Sequence, residues 1–146
     1  MGTVSRAALA LDAAENALLE RVRVVLSAEG CSVDEWRVLD LIADGQARVM
    51  SAVSNATSIA PSALTKLIDR MVSNNLVYRR IDTTDRRRVN IRVTPRGASS
   101  HRMLSALLDR CDTLFDDRQL QRISALPALV AELLDTSADA VVESTV

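Results

Sequence analysis

Apolar residues recur with roughly helical spacing along residues 5–28, where Leu9, Ala13, Leu18, Val22, Val25 and Leu26 predict a long first helix. Ser5 is its candidate cap and Gly30 its terminator. A second helix is expected in VDEWRVLDLIADG, residues 33–45, with Trp36, Leu39, Leu41 and Ile42 apolar and Gly45 at its end. Ser32 and Glu35 have the S-x-x-E spacing of a capping box at its start. MSAVSNATS, residues 50–58, predicts a short third helix with Ser51 as cap. APSALTKLIDRMVSNN, residues 60–75, predicts a fourth, on which Leu64, Leu67, Ile68 and Met71 share a face. Pro61 suits its first turn, where a missing N–H costs nothing. Asn75 can take the left-handed conformation that ends a helix.

The period then changes. LVYRRID (76–82) and VNIRVT (89–94) alternate apolar and polar residues on either side of a charged turn, which predicts a β-hairpin. TPRG closes its second strand, and residues 97–114 and 117–135 are long enough for two more helices. Pro127 predicts a kink or break near Ala125, and residues 137–146 are expected to fray. The result is a mainly α chain with a small β-hairpin. Its first, fifth and sixth helices exceed what one small module can bury, so they are expected to pack against a second copy of the chain.

Composition narrows the reading. The 146 residues, 48% of them hydrophobic, suffice for one domain with its own core. Trp36, Tyr78 and Phe115 are the only aromatics, so that core must be aliphatic. No apolar run is long enough to span a bilayer, and an N-terminus with Asp12 and no long apolar stretch does not read as a signal peptide. A cytoplasmic location is expected. Cys31, Cys111 and the single histidine, His101, show no metal-ligand spacing. They offer no nucleophile–base group and there is no glycine-rich phosphate loop, so neither enzymatic activity nor a cofactor is expected.

Net charge is −1, yet Lys66 to Arg96 holds nine basic residues against Asp69, Asp82 and Asp85. Such a local field steers a near-neutral protein toward phosphate. The third and fourth helices, joined by SIA, form a candidate helix-turn-helix. The fourth begins with Pro61, Ser62, Ala63, Thr65 and Lys66, small and polar residues that fit a major groove and offer groups to base edges or phosphates. Arg70, one turn on, is expected at phosphate. In the hairpin turn DTTDRRR, Asp85 can cap the turn or pair with Arg87, while Arg86 and Arg88 reach flanking phosphates. Arginine suits a narrow minor groove, where negative potential is focused. Arg79, Arg80 and Arg92 lie along the strands, where some must be structural.

These stretches resemble the MarR family of bacterial winged helix-turn-helix transcription regulators. The resemblance rests on EWRVLDLI (35–42), MSAVSNATSIAPSALTKLIDRMVSNNLVYRR (50–80) and DTTDRRRVNIRVTPRG (82–97). The last matches the family's wing pattern, with Val93 in place of leucine before Thr94. The resemblance implies a winged helix-turn-helix at 33–96 flanked by dimerisation helices at 5–28 and 97–137, in one domain over 1–146. It implies a homodimer on a roughly palindromic operator, with helix 61–74 in the major groove and wing 78–94 in the minor groove, usually as a repressor. Ser62, Thr65 and Lys66 match groove-facing positions, Arg87 the wing-tip arginine and Asp85 its buttress. Asn75 stands where the family often has glycine, and the third helix is more polar than usual, which suggests looser packing.

Many members release DNA on binding a small aromatic acid. Trp36, Tyr78 and His101 are the candidate ligand-binding residues. Thiol oxidation is the alternative trigger, with Cys31 near a helix start where the dipole favours thiolate. A winged helix used only for protein contact is the rival reading, and the three adjacent wing arginines speak against it.

Overall fold

The computed structural model describes residues 2–111 and 115–140, with side chains through Glu132. Its elements are α1 (Thr3–Ala28), α2 (Val33–Ile42), β1 (Arg48–Val49), α3 (Met50–Thr57), α4 (Pro61–Ser73), β2 (Val77–Ile81), β3 (Val89–Val93), α5 (Pro95–Asp109) and α6 (Asp117–Ala140). The fold is mainly α with a small wing, as the periodicity predicts. The chain divides into two units, residues 1–108 and 109–146.

In the first unit the helix ends follow their sequence signals. Gly30, at φ +69°, closes α1, with the Cys31 N–H donating to Leu26 O at 3.0 Å. Ser32 and Glu35 form the capping box: Ser32 Oγ accepts from Glu35 N at 3.1 Å, and Glu35 Oε2 accepts from Ser32 N at 2.9 Å. Pro61 opens α4, and Asn75 adopts φ +56° beyond its end. Two caps differ from expectation. Helix α1 begins at Thr3, before Ser5, and α3 begins at Met50, with Val49 in the cap position in place of Ser51.

The hairpin gains a third strand. β1 pairs with β3, Arg48 opposite Ile91, and the sheet order is β1-β3-β2, all antiparallel. β2 and β3 run from Val77↔Val93 to Ile81↔Val89, which leaves residues 82–88 as the turn. The core is aliphatic: Leu26, Val38, Leu39, Ile42, Val53, Leu64, Ile68, Met71, Val77, Ile91 and Leu104 are buried together. The polar α3 packs tightly rather than loosely. Val53 is fully buried, Thr57 Oγ1 donates to Val53 O at 2.7 Å and Ser54 Oγ to Ile59 O at 2.7 Å. The Ser54 and Thr57 hydroxyls are satisfied by nearby backbone carbonyls, so burying them carries no unpaired donor.

Thr94 and Gly97 fasten the sheet to α5. Thr94 Oγ1 donates to Asn75 O at 2.6 Å and accepts from Gly97 N at 2.9 Å. A side chain at Gly97 would fall on the Leu76 carbonyl, so the close approach requires glycine. α5 starts at Pro95 and runs to Asp109; residues 112–114 of the expected 97–114 helix lie outside the described residues.

In the second unit, α6 is continuous from Asp117 to Ala140 with Pro127 inside it, so no break falls at Ala125. Residues 137–140, expected to fray, are helical, and 141–146 lie outside the described residues. Among the described residues no helix is long and apolar enough to cross a membrane.

Candidate nucleic-acid interface

Helix α4 buries Leu64, Leu67, Ile68 and Met71 and exposes Ser62, Thr65, Lys66 and Asp69. The 3.6-residue period places the exposed four on one face. Thr65 Oγ1 donates to Pro61 O at 3.0 Å. Its hydroxyl proton is thus spent within the helix, and Thr65 retains an acceptor lone pair and its γ-methyl. Arg70 is exposed, and it lines a cleft of about 640 Å³ with Arg23 and Cys31 on the side of α1 and α2. One turn beyond Lys66, it lies at the edge of the Ser62–Lys66 face.

The arginine turn is organised by two aspartates. Asp82 Oδ1 accepts from Thr84 Oγ1 at 2.6 Å, Thr84 N at 2.8 Å and Asp85 N at 3.2 Å; Oδ2 accepts from Asn90 Nδ2 at 3.1 Å. These bonds, led by the Thr84 hydroxyl, hold the Asp82 carboxyl well below its ordinary value. Backbone bonds close the loop, from Asp82 N to Arg88 O and from Arg88 N to Asp85 O, both at 2.9 Å.

Asp85 does cap the turn, accepting from Arg87 N at 3.0 Å. Its other oxygen lies 3.5 Å from Arg88 Nε. The expected pairing of Asp85 with the Arg87 guanidinium is therefore corrected: Asp85 fixes the Arg87 backbone and the Arg88 side chain. The reason is local geometry, since the tight turn presents the Arg87 N–H to the carboxylate and swings its side chain outward. Arg86, Arg87 and Arg88 are all exposed.

Two contacts escape sequence reading. Arg79 Nη1 lies 2.6 Å from Asp69 Oδ1, which ties strand β2 to the exposed face of α4. The central role of Asp82 is the other. The D-T-T spacing carries its signal, because an Asp side chain commonly bonds the backbone two residues on.

The remaining candidates are spread apart. Trp36 lies half-buried against the core, and its Nε1 is buried without a hydrogen-bond partner among the described residues. It lines a cavity of about 390 Å³ with Glu15, Arg37, Asp40 and Leu41. His101 Nε2 meets Asp40 Oδ1 at 2.9 Å, an α5–α2 contact at the edge of that cavity. Arg37 is engaged by Glu15 at 3.8 Å and Asp34 at 3.6 Å. Tyr78 is exposed on β2 and does not line the cavity with Trp36.

Cys31 does not carry a stabilised thiolate. Burial first, then the Glu35 charge, pushes its thiol up to about 11. The helix cap is Ser32, whose hydroxyl accepts from Glu35 N, and the backbone contact of Trp36 with the sulfur only partly offsets the rise. Neither Cys31 nor Cys111 forms a disulfide.

Residues 32–89 match the model of the MarR family. Over 121 residues, 82% of this chain and 83% of the relative, the sequence is 26% identical to the HTH-type transcriptional regulator FarR of Neisseria gonorrhoeae. The fold matches the crystal structure of NadR in complex with 4-hydroxyphenylacetate with a TM-score of 0.74 at 25% identity, covering 86% of this chain and 89% of that one. Wild-type E. coli MarR in its apo form has the same fold, with a TM-score of 0.68 at 19% identity over 89% and 98% of the two chains.

Proposed function

We propose, on the match of residues 32–89 to the MarR family model, that the chain is a homodimeric, DNA-binding transcription regulator with a winged helix-turn-helix. It acts as a repressor on a roughly palindromic operator. Helix α4 enters the major groove with Ser62, Thr65 and Lys66, and the turn between β2 and β3 enters the minor groove with Arg86, Arg87 and Arg88. The observation that carries this reading is the pairing of an uncluttered polar face on α4 with an arginine turn whose backbone is fixed by Asp82 and Asp85. Arg79, paired with Asp69, links the strand that leads into the turn to the exposed face of α4.

The test is duplex binding as a function of salt. Binding to a duplex selected from a random library should weaken steeply with ionic strength, because each phosphate contact releases counterions. Lys66→Ala should lose affinity for the selected duplex, by roughly 1 to 3 kcal/mol if it contacts a base, and far less for random duplex. A chain that selects no duplex would be a protein-contact module instead.

A ligand that releases DNA fits the cavity beside Trp36. Among the described residues the buried Trp36 N–H lacks an acceptor, an arrangement that costs about 1–3 kcal/mol, and a ligand oxygen would supply one once the indole turns toward the cavity. Arg37 is the cation that would receive the carboxylate of a small aromatic acid, displacing Glu15, and His101, which meets Asp40 at the cavity's edge, would offer a ring N–H. NadR, solved with 4-hydroxyphenylacetate, supports this chemical class. Operator binding should weaken when such acids are titrated in, and Trp36→Phe should blunt the effect. A broad panel without effect would remove the ligand from the proposal.

A further inference from the structure

Between α3 and the first turns of α4 lies an open cleft of about 320 Å³, lined by Met50, Ser51, Ser54, Asn55, Pro61, Leu64 and Thr65. No charged residue lines it, although it adjoins the face that bears Lys66. Its floor is apolar, from Met50, Pro61 and Leu64. Two of its three hydroxyls donate inward: Ser54 Oγ to Ile59 O at 2.7 Å and Thr65 Oγ1 to Pro61 O at 3.0 Å. Thr65 therefore offers its γ-methyl to the cleft rather than a hydrogen-bond donor.

We propose that this cleft, formed by Met50, Pro61, Leu64 and Thr65, receives the 5-methyl group of an operator thymine and makes that base a determinant of sequence specificity. The inference rests on the DNA-reading role proposed for α4 and deepens it. Its chemistry is one of elimination along the base edges. The major-groove edges of guanine, adenine and cytosine present only donors and acceptors, and the thymine methyl is the apolar group among them. An uncharged, apolar-floored recess beside the reading face complements that methyl and offers a phosphate no cation. Ser51 and Asn55, at the rim, remain to meet the polar atoms of the same or the neighbouring base.

The experiment begins with the full-length chain and an operator selected from a random duplex library. Each thymine is replaced in turn by uracil, which removes only the methyl. At one symmetry-related pair of positions, binding should weaken about fourfold per half-site, the scale of one buried methyl group. Thr65→Ser keeps the inward hydroxyl and deletes the facing methyl. It should weaken the thymine operator and bring the thymine–uracil difference at that position below about twofold, the rest of the cleft being no longer in close contact. Wild-type protein that binds the operator with no uracil-sensitive position would overturn the thymine assignment and leave the DNA-binding role standing, with the cleft open to a small apolar ligand. A uracil effect that Thr65→Ser leaves unchanged would also overturn it, placing the methyl elsewhere. Failure to select any duplex would remove both proposals together.

Discussion

Asp82 and Asp85 are three residues apart in the same turn, yet they act on different atoms. Asp82 gathers two backbone N–H groups, a hydroxyl and an amide, whereas Asp85 holds one N–H and one guanidinium. Asp82→Ala should therefore weaken operator binding about tenfold or more, the scale of a lost hydrogen bond to a charged group, and by more than Asp85→Asn, whose amide oxygen can still accept from Arg87 N. The sign is the discriminating part. Either substitution adds net positive charge, so a diffuse positive patch would bind DNA more tightly, whereas a positioned turn binds more weakly because its arginines must be ordered on contact. Titrations of both variants and Arg87→Ala against one duplex at several salt concentrations decide between them. Acid should act on the same group. The folded carboxyl of Asp82 lies below its ordinary value of 3.8, so its contribution is complete above that value and is lost only as pH falls through the lower, folded one. Its NMR titration should show a midpoint well below that of an unfolded aspartate, and wing order should not change between pH 7 and 5. Cys31 gives the opposite prediction for redox chemistry. With its thiol at about 11, it should alkylate more slowly at neutral pH than a free cysteine, and Cys31→Ser should leave operator release unaltered by peroxide.

At the scale of elements, helices with a sustained 3.6-residue period and capped ends were legible in the sequence. Ser32–Glu35, Pro61 and Asn75 fall where local chemistry requires them, because each acts on backbone groups within a few residues. β1 was not legible. Two residues carry no period, and Arg48–Val49 becomes a strand only because the edge of β3 lies beside it. The same limit hid the Arg79–Asp69 contact, which joins a strand to a helix by side chains that no spacing rule connects. The recognition face and the arginine turn were legible as residue types, but the hydrogen bonds that aim them were not. Pro127 shows propensity overridden, since α6 passes through it. The junction of β3 and α5 gives the element-scale prediction. Gly97→Ala would press a methyl against the Leu76 carbonyl and the Val93 side chain. Overpacking of this kind costs roughly 1–3 kcal/mol, so the midpoint of thermal unfolding should fall by several degrees. Thr94→Val, which removes the hydroxyl linking Asn75 O to Gly97 N, should act in the same direction. An unchanged midpoint for Gly97→Ala would mean that the strand–helix junction yields without cost.

For the whole molecule, the question is what covers α1. This helix is 26 residues long, yet Leu26 is its one buried residue. Val4, Leu9, Leu11 and Val24 stand exposed, at 83%, 59%, 39% and 64% of their accessible surface. In the second unit, α6 likewise exposes Leu129 and Val130. A helix this long gains most of its stability from packing one face, and an isolated α1 lacks that packing over its first four turns. A second copy of the chain supplies a surface of the same character, and two-fold pairing is the commonest way to close such an interface. Sedimentation at micromolar concentration should therefore give a mass near twice 15.9 kDa. Leu9→Glu places a charge among the exposed apolar residues of α1 without touching the buried core. It should shift the chain toward the monomer and reduce α1 helicity by circular dichroism. It should also reduce operator affinity, since only a dimer engages both half-sites of a palindrome at once. The residual binding of Leu9→Glu to an isolated half-site should match that of the wild type. Wild-type chain that sediments as a monomer at that concentration would refute the dimer and, with it, the two-fold operator. Dimers of Leu9→Glu with undiminished operator affinity would instead place the interface away from Leu9.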